Sequence, residues 1–338
     1  MKELLKDLCL ADGVSGDESS VRELIISKIN DLCEYRVDNL GNLICFKKGR
    51  KTPQKKLMVC AHTDEVGFII TYIRPDGTLC FGNVGGIDPS VVIGRQVRVG
   101  KSRISGVVGS TAVHNLNKEQ REKAPKTDSL YIDIGAADKA EAEKYVSLGD
   151  CAYFDSEFVE MGGCIKSKAL DDRAGCTIMT ELLHEDLEYD TYFVFNVQEE
   201  VGLRGAVASA YSVAPDYAIV LESTTAADID GASGAKRVCE VGRGPVVSFM
   251  DRHTMYDKEL YRLAFDIAKE QGIPCQTKTM IAGGNDAGVI HTSAGGVRTM
   301  AVSLPCRYLH SASSVINYSD LENTYKLVKS LIGRIHEI

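Results

Sequence analysis

The sequence predicts an α/β protein in which a mainly parallel sheet is covered by helices on both faces and carries an inserted, small, β-rich, barrel-like unit. Three observations predict this. From Gly163 onward, strand-like and helix-like segments alternate, the rhythm of strands joined by crossover helices. LMVCA, Leu57 to Ala61, is a continuous apolar run, short enough for a strand buried on both faces. Between about Val66 and Gly162 the pattern changes to short strand-like runs parted by Gly-rich or Asp-Gly turns, the mark of a small barrel. Residues 1–65 and 163–338 are therefore expected to form one domain, and residues 66–162 the insertion.

The elements follow in order. Leu4, Leu5 and Leu8, then Val21, Leu24, Ile25 and Ile29, recur at helical spacing with breaks at Gly13 and Gly16, so two helices and a turn open the chain. Lys47, Lys48, Arg50, Lys51, Lys55 and Lys56 flank Gly49 and Pro53, which reads as a solvated loop. LMVCA then delivers His62 and Asp64 at its carboxyl end. Within the insertion, VGFIITYI, TLCFGNV, QVRVG, ISGVVGS and SLYIDIG are strands, and AADKAEAEKYVSLG is a helix. Beyond it, the strands TYFVFNVQ, YAIVLES, VVSF and VRTMAVSL alternate with the helices LRGAVASAY, KELYRLAFDIAKEQG and DLENTYKLVKSLIG.

Composition narrows the function. Hydrophobic residues make up 44% and charged residues 25% of 338, as in ordinary soluble proteins, and no apolar run approaches the roughly 18 residues of a membrane span. A net charge of −8 disfavours nucleic acid, whose phosphates require a basic surface. The start, MKELLKDLCLADGVSG, carries Asp7 and Asp12, unlike a secretory signal. Eleven cysteines form no CxxC pair and read as small buried thiols of a reducing cytoplasm.

The polar residues at strand ends carry the chemistry. His62 and Asp64 follow LMVCA, Asp171 and Asp172 follow IKSKAL, Glu199 and Glu200 follow FVFNVQ, Glu222 follows YAIVL, and His310 follows VSLPCRYL. Singly each has a plain reading, as a helix cap or a solvated edge. Jointly they place acids and imidazoles in one crevice, at the strand ends where open sheets bind ligands. Carboxylates crowd together only when positive charge offsets their repulsion, and divalent cations do so while using them as ligands. Histidine and carboxylate donors without thiolates favour two ions of zinc or cobalt, with manganese as the alternative, and an aspartate is short enough to bridge them.

AHTDEVG (Ala61 to Gly67), KALDDRAG (Lys168 to Gly175), QEEVGLRGA (Gln198 to Ala206), GGNDAGVIH (Gly283 to His291) and RYLHS (Arg307 to Ser311) resemble, in order, the motifs of the dinuclear tetrahedral-type aminopeptidases. That family includes glutamyl aminopeptidases and proteins labelled cellulase M or endoglucanase. LADGVSGDE, Leu10 to Glu18, is similar to the family's start, so the likeness covers nearly the whole chain. It implies a zinc-exopeptidase-like fold with Asp171 bridging two metals, His62 and Glu222 completing one site, and Glu200 and His310 the other. Glu199 is left as general base on a water activated by the metals, with Asp64 behind His62 fixing its tautomer. Many members have aspartate where Glu222 stands. The family also resembles enzymes in which the peptide bond after the bridging aspartate is cis, so Asp171–Asp172 is a candidate for that geometry.

The resemblance further implies an aminopeptidase that removes first residues from short peptides with a free amino terminus. Gly284, Asn285, Asp286 and His291 would belong to its substrate pocket. Arg252, His253 and Arg298 are candidates to receive an acidic first residue, a slight lean. Dimers built into a hollow tetrahedral dodecamer are expected, with the insertion making dimer contacts and limiting access. The alternatives are an endoglucanase-type glycoside hydrolase, disfavoured by the absence of tryptophan; another two-metal amide hydrolase; and a non-catalytic assembly protein.

Overall fold

A computed structural model describes residues 1–119 and 121–338. The helices Lys2–Leu10 and Ser19–Ile29 open the chain, as the leucine spacing requires. β1 (Glu34–Val37) and β2 (Leu43–Lys47) form an antiparallel hairpin, and β3 (Leu57–His62) is buried at every position.

Six strands follow β3: β4 (Gly67–Ile73), β5 (Leu79–Val84), β6 (Gln96–Val99), β7 (Ile104–Ser110), β8 (Leu130–Asp133) and β9 (Cys151–Phe154). They close into a barrel in the order β4-β5-β8-β7-β6-β9. Its core is a trio of aromatic rings, Phe68 lying 4.8 Å from Phe81 and 5.2 Å from Phe154 edge-on, packed with Val97, Val99, Val108 and Ile132. Gly67 lets the amino-terminal loop lie against this barrel, since a Cβ there would stand 2.3 Å from Val14 and 2.9 Å from the Ala152 carbonyl. The expected helix AADKAEAEKYVSLG is a single turn, Lys139–Ala142. Of this segment Ala142 and Val146 are buried in the barrel core and Ala136 packs partly against it, too little apolar surface to hold a longer helix.

The chain then forms β10 (Val159–Met161) and β11 (Cys164–Ser167), which pair with each other and, through β11, with β17 (Ser314–Asn317). β12 (Thr191–Asn196), β13 (Tyr217–Thr225), β14 (Val246–Val247), β15 (Gln276–Thr277) and β16 (Arg298–Cys306) complete an eight-stranded sheet ordered β1-β2-β12-β3-β13-β16-β14-β15. The pairs β12·β3, β3·β13, β13·β16 and β14·β15 are parallel, and the remaining three are antiparallel.

Alternation along β3 feeds two cores. Leu57, Val59 and Ala61 pack with Leu5 and Leu8, with Ile178 and Leu182 of the helix Leu170–Leu183, and with Leu327 and Leu331 of the helix Tyr318–Arg334. Met58 and Cys60 pack with Ala206, Ala210 and Val213 of the helix Arg204–Val213 and with Ile290. Each fully buried leucine, isoleucine, valine or methionine among them contributes ~1.5–3 kcal/mol. Local signals set the helix ends. Asp257 accepts the N–H groups of Glu259 and Leu260 at the start of the helix Lys258–Gln271, and Gly272, at φ 65°, closes it.

The basic loop is fastened at one end. Asp190, nearly buried, accepts from Lys48 Nζ at 2.8 Å, Gly49 N at 2.9 Å and the Thr52 hydroxyl at 2.8 Å. All eleven cysteines are free thiols, and no described helix is long and apolar enough to cross a membrane.

Candidate active site

The parallel register brings the strand ends together. Asn196, the last residue of β12, pairs with His62, the last of β3, and Glu222 of β13 pairs with Ser303 of β16. Beyond β12 the chain turns at Gln198, whose φ of 56° is left-handed, and presents Glu199 and Glu200. Beyond β16 it turns again at Tyr308 (φ 59°) and His310 (φ 55°). Such conformations in residues other than glycine cost of order 1–3 kcal/mol each and persist where the surroundings impose them. Asp171 and Asp172 sit where β11 leads into the helix Leu170–Leu183, and the peptide bond between them is cis.

Four side chains converge on Asp171. His62 Nε2 lies 3.5 Å from Asp171 Oδ1 and 3.4 Å from Glu222 Oε1, while His310 Nε2 lies 3.5 Å from Asp171 Oδ2 and 3.3 Å from Glu200 Oε2. Each oxygen of Asp171 therefore faces one imidazole, and each imidazole faces one further glutamate. The other ring nitrogens are engaged by carbonyl oxygens, His62 Nδ1 with Asp64 O at 3.1 Å and His310 Nδ1 with Gly86 O at 2.8 Å. A carbonyl only accepts, so the proton belongs on Nδ1 and the Nε2 lone pair is turned inward.

This donor set fits cations. Two ligands held ~2.0–2.1 Å from one tetrahedral ion stand about 3.3–3.4 Å apart, close to the observed separations and longer than good hydrogen bonds. The buried Asp171 Oδ1 and Asp172 Oδ2 have no hydrogen-bond partner among the described residues. Donor atoms of His62, Asp171 and Glu200 lie within 4.8 Å of one another, as do those of Asp171, Asp172 and Glu222. Asp172 also accepts the Gly175 N–H at 2.9 Å, the helix-capping role that its sequence position suggests.

Proton affinities show how crowded the acids are. Burial, with Asp171 and Asp172 nearby, pushes the Glu222 carboxyl well above the usual range. Burial does the same to Glu199, with repulsion from Asp286, Glu200 and Asp64 added. Glu200 is pushed up to about 7 by burial and by Asp171. Burial alone would lower His310, but Asp171 and Glu200 outweigh it and raise it to about 9. Burial alone would raise Asp171, yet the two histidines hold it well below its ordinary value.

Asp64 does more than back His62. Its carboxylate stands 3.4 Å from His62 Nδ1, beyond the carbonyl that takes the bond. Its oxygens accept the backbone N–H groups of Glu199 (Oδ1, 3.0 Å) and Glu200 (Oδ2, 3.1 Å) and the Ser15 hydroxyl (2.6 Å). Glu18 Oε1 accepts the Gln198 and Gly16 N–H groups. The amino-terminal loop GVSGDE thus clamps the turn that carries both glutamates.

A cavity of about 490 Å³ runs from Asp171, Glu199 and Glu222 to a wall of Gly283, Gly284 and Asn285. Gly284 must lack a Cβ, which would stand 2.5 Å from the His253 ring. The other expected substrate residues are placed differently. Asp286 is buried and turned away, accepting from Asn196 Nδ2 at 2.7 Å. His291 bonds back to the Ala287 carbonyl at 2.8 Å, and Arg252 meets the pocket loop through its backbone N–H to Gly283 O. His253 supports Gly284 from behind the wall. Arg298 must be removed from the pocket. It begins β16, five strand residues before the level of Glu222, and is bound to Asp257 at 2.8 Å and Glu259 at 2.5 Å.

Sequence reasoning missed Lys278, which lines the cavity just after β15 and donates to the Ala282 carbonyl at 2.9 Å. It makes no ion pair among the described residues. No sequence signal marked it, because it follows a two-residue strand outside every motif. Ser223, Thr224 and Ser303 also line the cavity and were likewise hidden inside apolar strand runs.

The M42 glutamyl aminopeptidase profile matches residues 41–327. The lysyl aminopeptidase of Pyrococcus furiosus is 33% identical over 344 residues, covering 98% of this chain and 97% of its own. The glutamyl aminopeptidase of Lactococcus lactis subsp. cremoris is 30% identical over 345 residues, covering 98% and 96%. Among solved structures, the TET1 peptidase of Pyrococcus horikoshii, which can assemble into a tetrahedron or a large octahedral shell, superposes with a TM-score of 0.86 at 35% identity, covering 98% of each chain.

Proposed function

This chain belongs to the M42 glutamyl aminopeptidase family, a family of metallopeptidases, and is a peptide hydrolase; on that premise we propose that it removes amino-terminal residues from short peptides with two divalent cations held around Asp171. The observation that carries the reading is the symmetric facing of His62 and His310 Nε2 onto opposite oxygens of that carboxylate. His62 and Glu222 would hold one ion, Glu200 and His310 the other, and Asp171 both. Zinc or cobalt suits this donor set best, with manganese next. When bound, the ions supply Lewis acidity toward the carbonyl and a lowered pKa for water.

The remaining steps fall to the chain. The amino end of the substrate is received beside the Asp171 cluster. Glu199, held by its N–H on Asp64, takes a proton from the attacking water and delivers it to the departing peptide nitrogen. Its burial suits it to hold that proton between the two transfers. Gly283 and Gly284 allow the substrate backbone to lie close to the wall.

Lys278 now supports the slight lean toward acidic first residues, in place of Arg298 and Arg252. The sheet serves as the mainly parallel, doubly covered scaffold expected from the sequence, with residues 66–162 as an inserted unit that makes dimer contacts and limits access. A homo-oligomer built from dimers, in a tetrahedral dodecamer, follows from the kinship with the TET1 peptidase, and a cytoplasmic setting from the free thiols. The test is hydrolysis of an aminoacyl-nitroanilide panel before chelation, after it, and after restoring zinc or cobalt. Loss and recovery of first-residue release is expected. Full activity after exhaustive chelation, or chelator-insensitive cleavage of cellulose, would sink the reading.

A further inference from the structure

A second cavity, of about 710 Å³, opens beside the first. Gly86, Thr225, Leu309 and His310 belong to the walls of both, so the two lie side by side with His310 between them. The first holds Asp171, Glu199, Glu200 and Glu222, the acids of the proposed cation site, together with Lys278. The second holds Arg95, contributed by the barrel, and Lys166, contributed by β11.

Neither cation forms an ion pair among the described residues. Arg95 Nε donates to the Val91 carbonyl at 3.1 Å. Lys166 Nζ donates to the Glu157 carbonyl at 3.0 Å and the Ser156 hydroxyl at 3.2 Å. These neutral acceptors steady the side chains and leave their charge uncompensated. The acid in this wall, Asp88, accepts the N–H and O–H of Ser90 at Oδ1, at 2.9 and 2.7 Å, and keeps its charge, so the wall carries two cations against one anion.

A short peptide ends in a carboxylate, and the second cavity offers two cations to it beyond the proposed metal site. With the amino end at the Asp171 cluster, a leaving portion that runs past His310 enters the second cavity. Taken as a sphere, the second cavity is about 11 Å across, room for about three extended residues at ~3.3–3.6 Å each. We propose that Arg95 and Lys166 bind the C-terminal carboxylate of the substrate. The substrate class is then di- to tetrapeptides with a free carboxyl end. The inference rests on the aminopeptidase reading and adds the site that receives the leaving chain.

The test uses the full-length, zinc- or cobalt-loaded protein with Glu-Ala-Ala, Leu-Ala-Ala and the C-terminal amide of each. The acid is expected to exceed its amide by about tenfold or more in kcat/KM, as charge-assisted bonds to a carboxylate require, with the difference in KM. In the Arg95→Gln/Lys166→Met double variant the acid-to-amide ratio should fall to near one. Using a ratio within one variant cancels any general loss of activity. Calorimetric binding of the same peptides to the metal-loaded Glu199→Gln variant gives a readout without turnover. A ratio near one in the unaltered protein, or one that the double variant leaves unchanged, overturns the proposal. If no peptide is cleaved, the aminopeptidase reading fails, and binding to the Glu199→Gln variant still decides whether the carboxylate site exists.

Discussion

Asp64 Oδ1 accepts the backbone N–H of Glu199 at 3.0 Å, so the residue behind one histidine also sets the turn that carries the proposed base. In Asp64→Asn one carboxylate oxygen becomes an NH2 group, which must face either the Glu199 or the Glu200 N–H. Steady-state kinetics should show kcat lowered about 10- to 100-fold, the usual cost of losing an outer-shell partner. Rates within twofold of the unaltered protein would show that the turn is held by other contacts.

Glu199→Gln keeps the shape of the side chain and removes its capacity to take a proton. We expect metal content, measured by mass spectrometry, to stay near that of the unaltered protein. Turnover should fall by about 10²- to 10⁴-fold, the usual contribution of general acid–base catalysis. An unchanged kcat would end the assignment of this residue as base.

Metal binding should release protons, and the pH window follows from the two groups that must deprotonate. A raised histidine such as His310 contributes stability that is complete below its unfolded value of about 6.5 and is lost as pH rises through about 9. A raised acid such as Glu200 contributes stability present below about 4.3 and lost as pH rises through about 7. Cations compete with both protons, so zinc should raise Tm more at pH 8.5 than at pH 6. Calorimetry in buffers of different ionisation heat should find fewer protons released per zinc as pH passes 7 and then 9. A proton count constant from pH 6 to 10 would contradict ligation by these two residues.

Lys278 stands in the cavity wall without an ion partner among the described residues. Lys278→Glu should reverse the ratio of glutamyl to glutaminyl nitroanilide hydrolysis, shifting it by about tenfold or more toward the neutral substrate, and should raise relative turnover of lysyl substrates. A ratio indifferent to the reversal would place the first side chain elsewhere.

Much of this protein is written in patterns of a few neighbouring residues. LMVCA is a buried strand because five apolar residues in succession have no polar face to show to water, and the period of Leu4, Leu5 and Leu8 marks a helix for the same reason. The residues His62, Asp171, Glu199, Glu200, Glu222 and His310 stand out because ionisable groups at the ends of apolar runs are costly unless something pairs them. The helix expected over AADKAEAEKYVSLG shrank to one turn because periodicity does not reveal how little of a helix the barrel can cover.

Spatial relations were decided by packing. Arg298 and Glu222 lie on neighbouring strands, and only their register places the arginine at the amino end of the sheet, far from the acids. Lys278 joined the cavity because β15 pairs with β14 at the edge of that sheet, a contact between segments 30 residues apart in number. Whether Asp171 could face two imidazoles at once depended on turns at Tyr308 and His310 that no propensity scale anticipates. Local free energies choose strands and helices; the direction a side chain finally points is chosen by strand pairing and turn geometry, which are set by contacts distant in the chain.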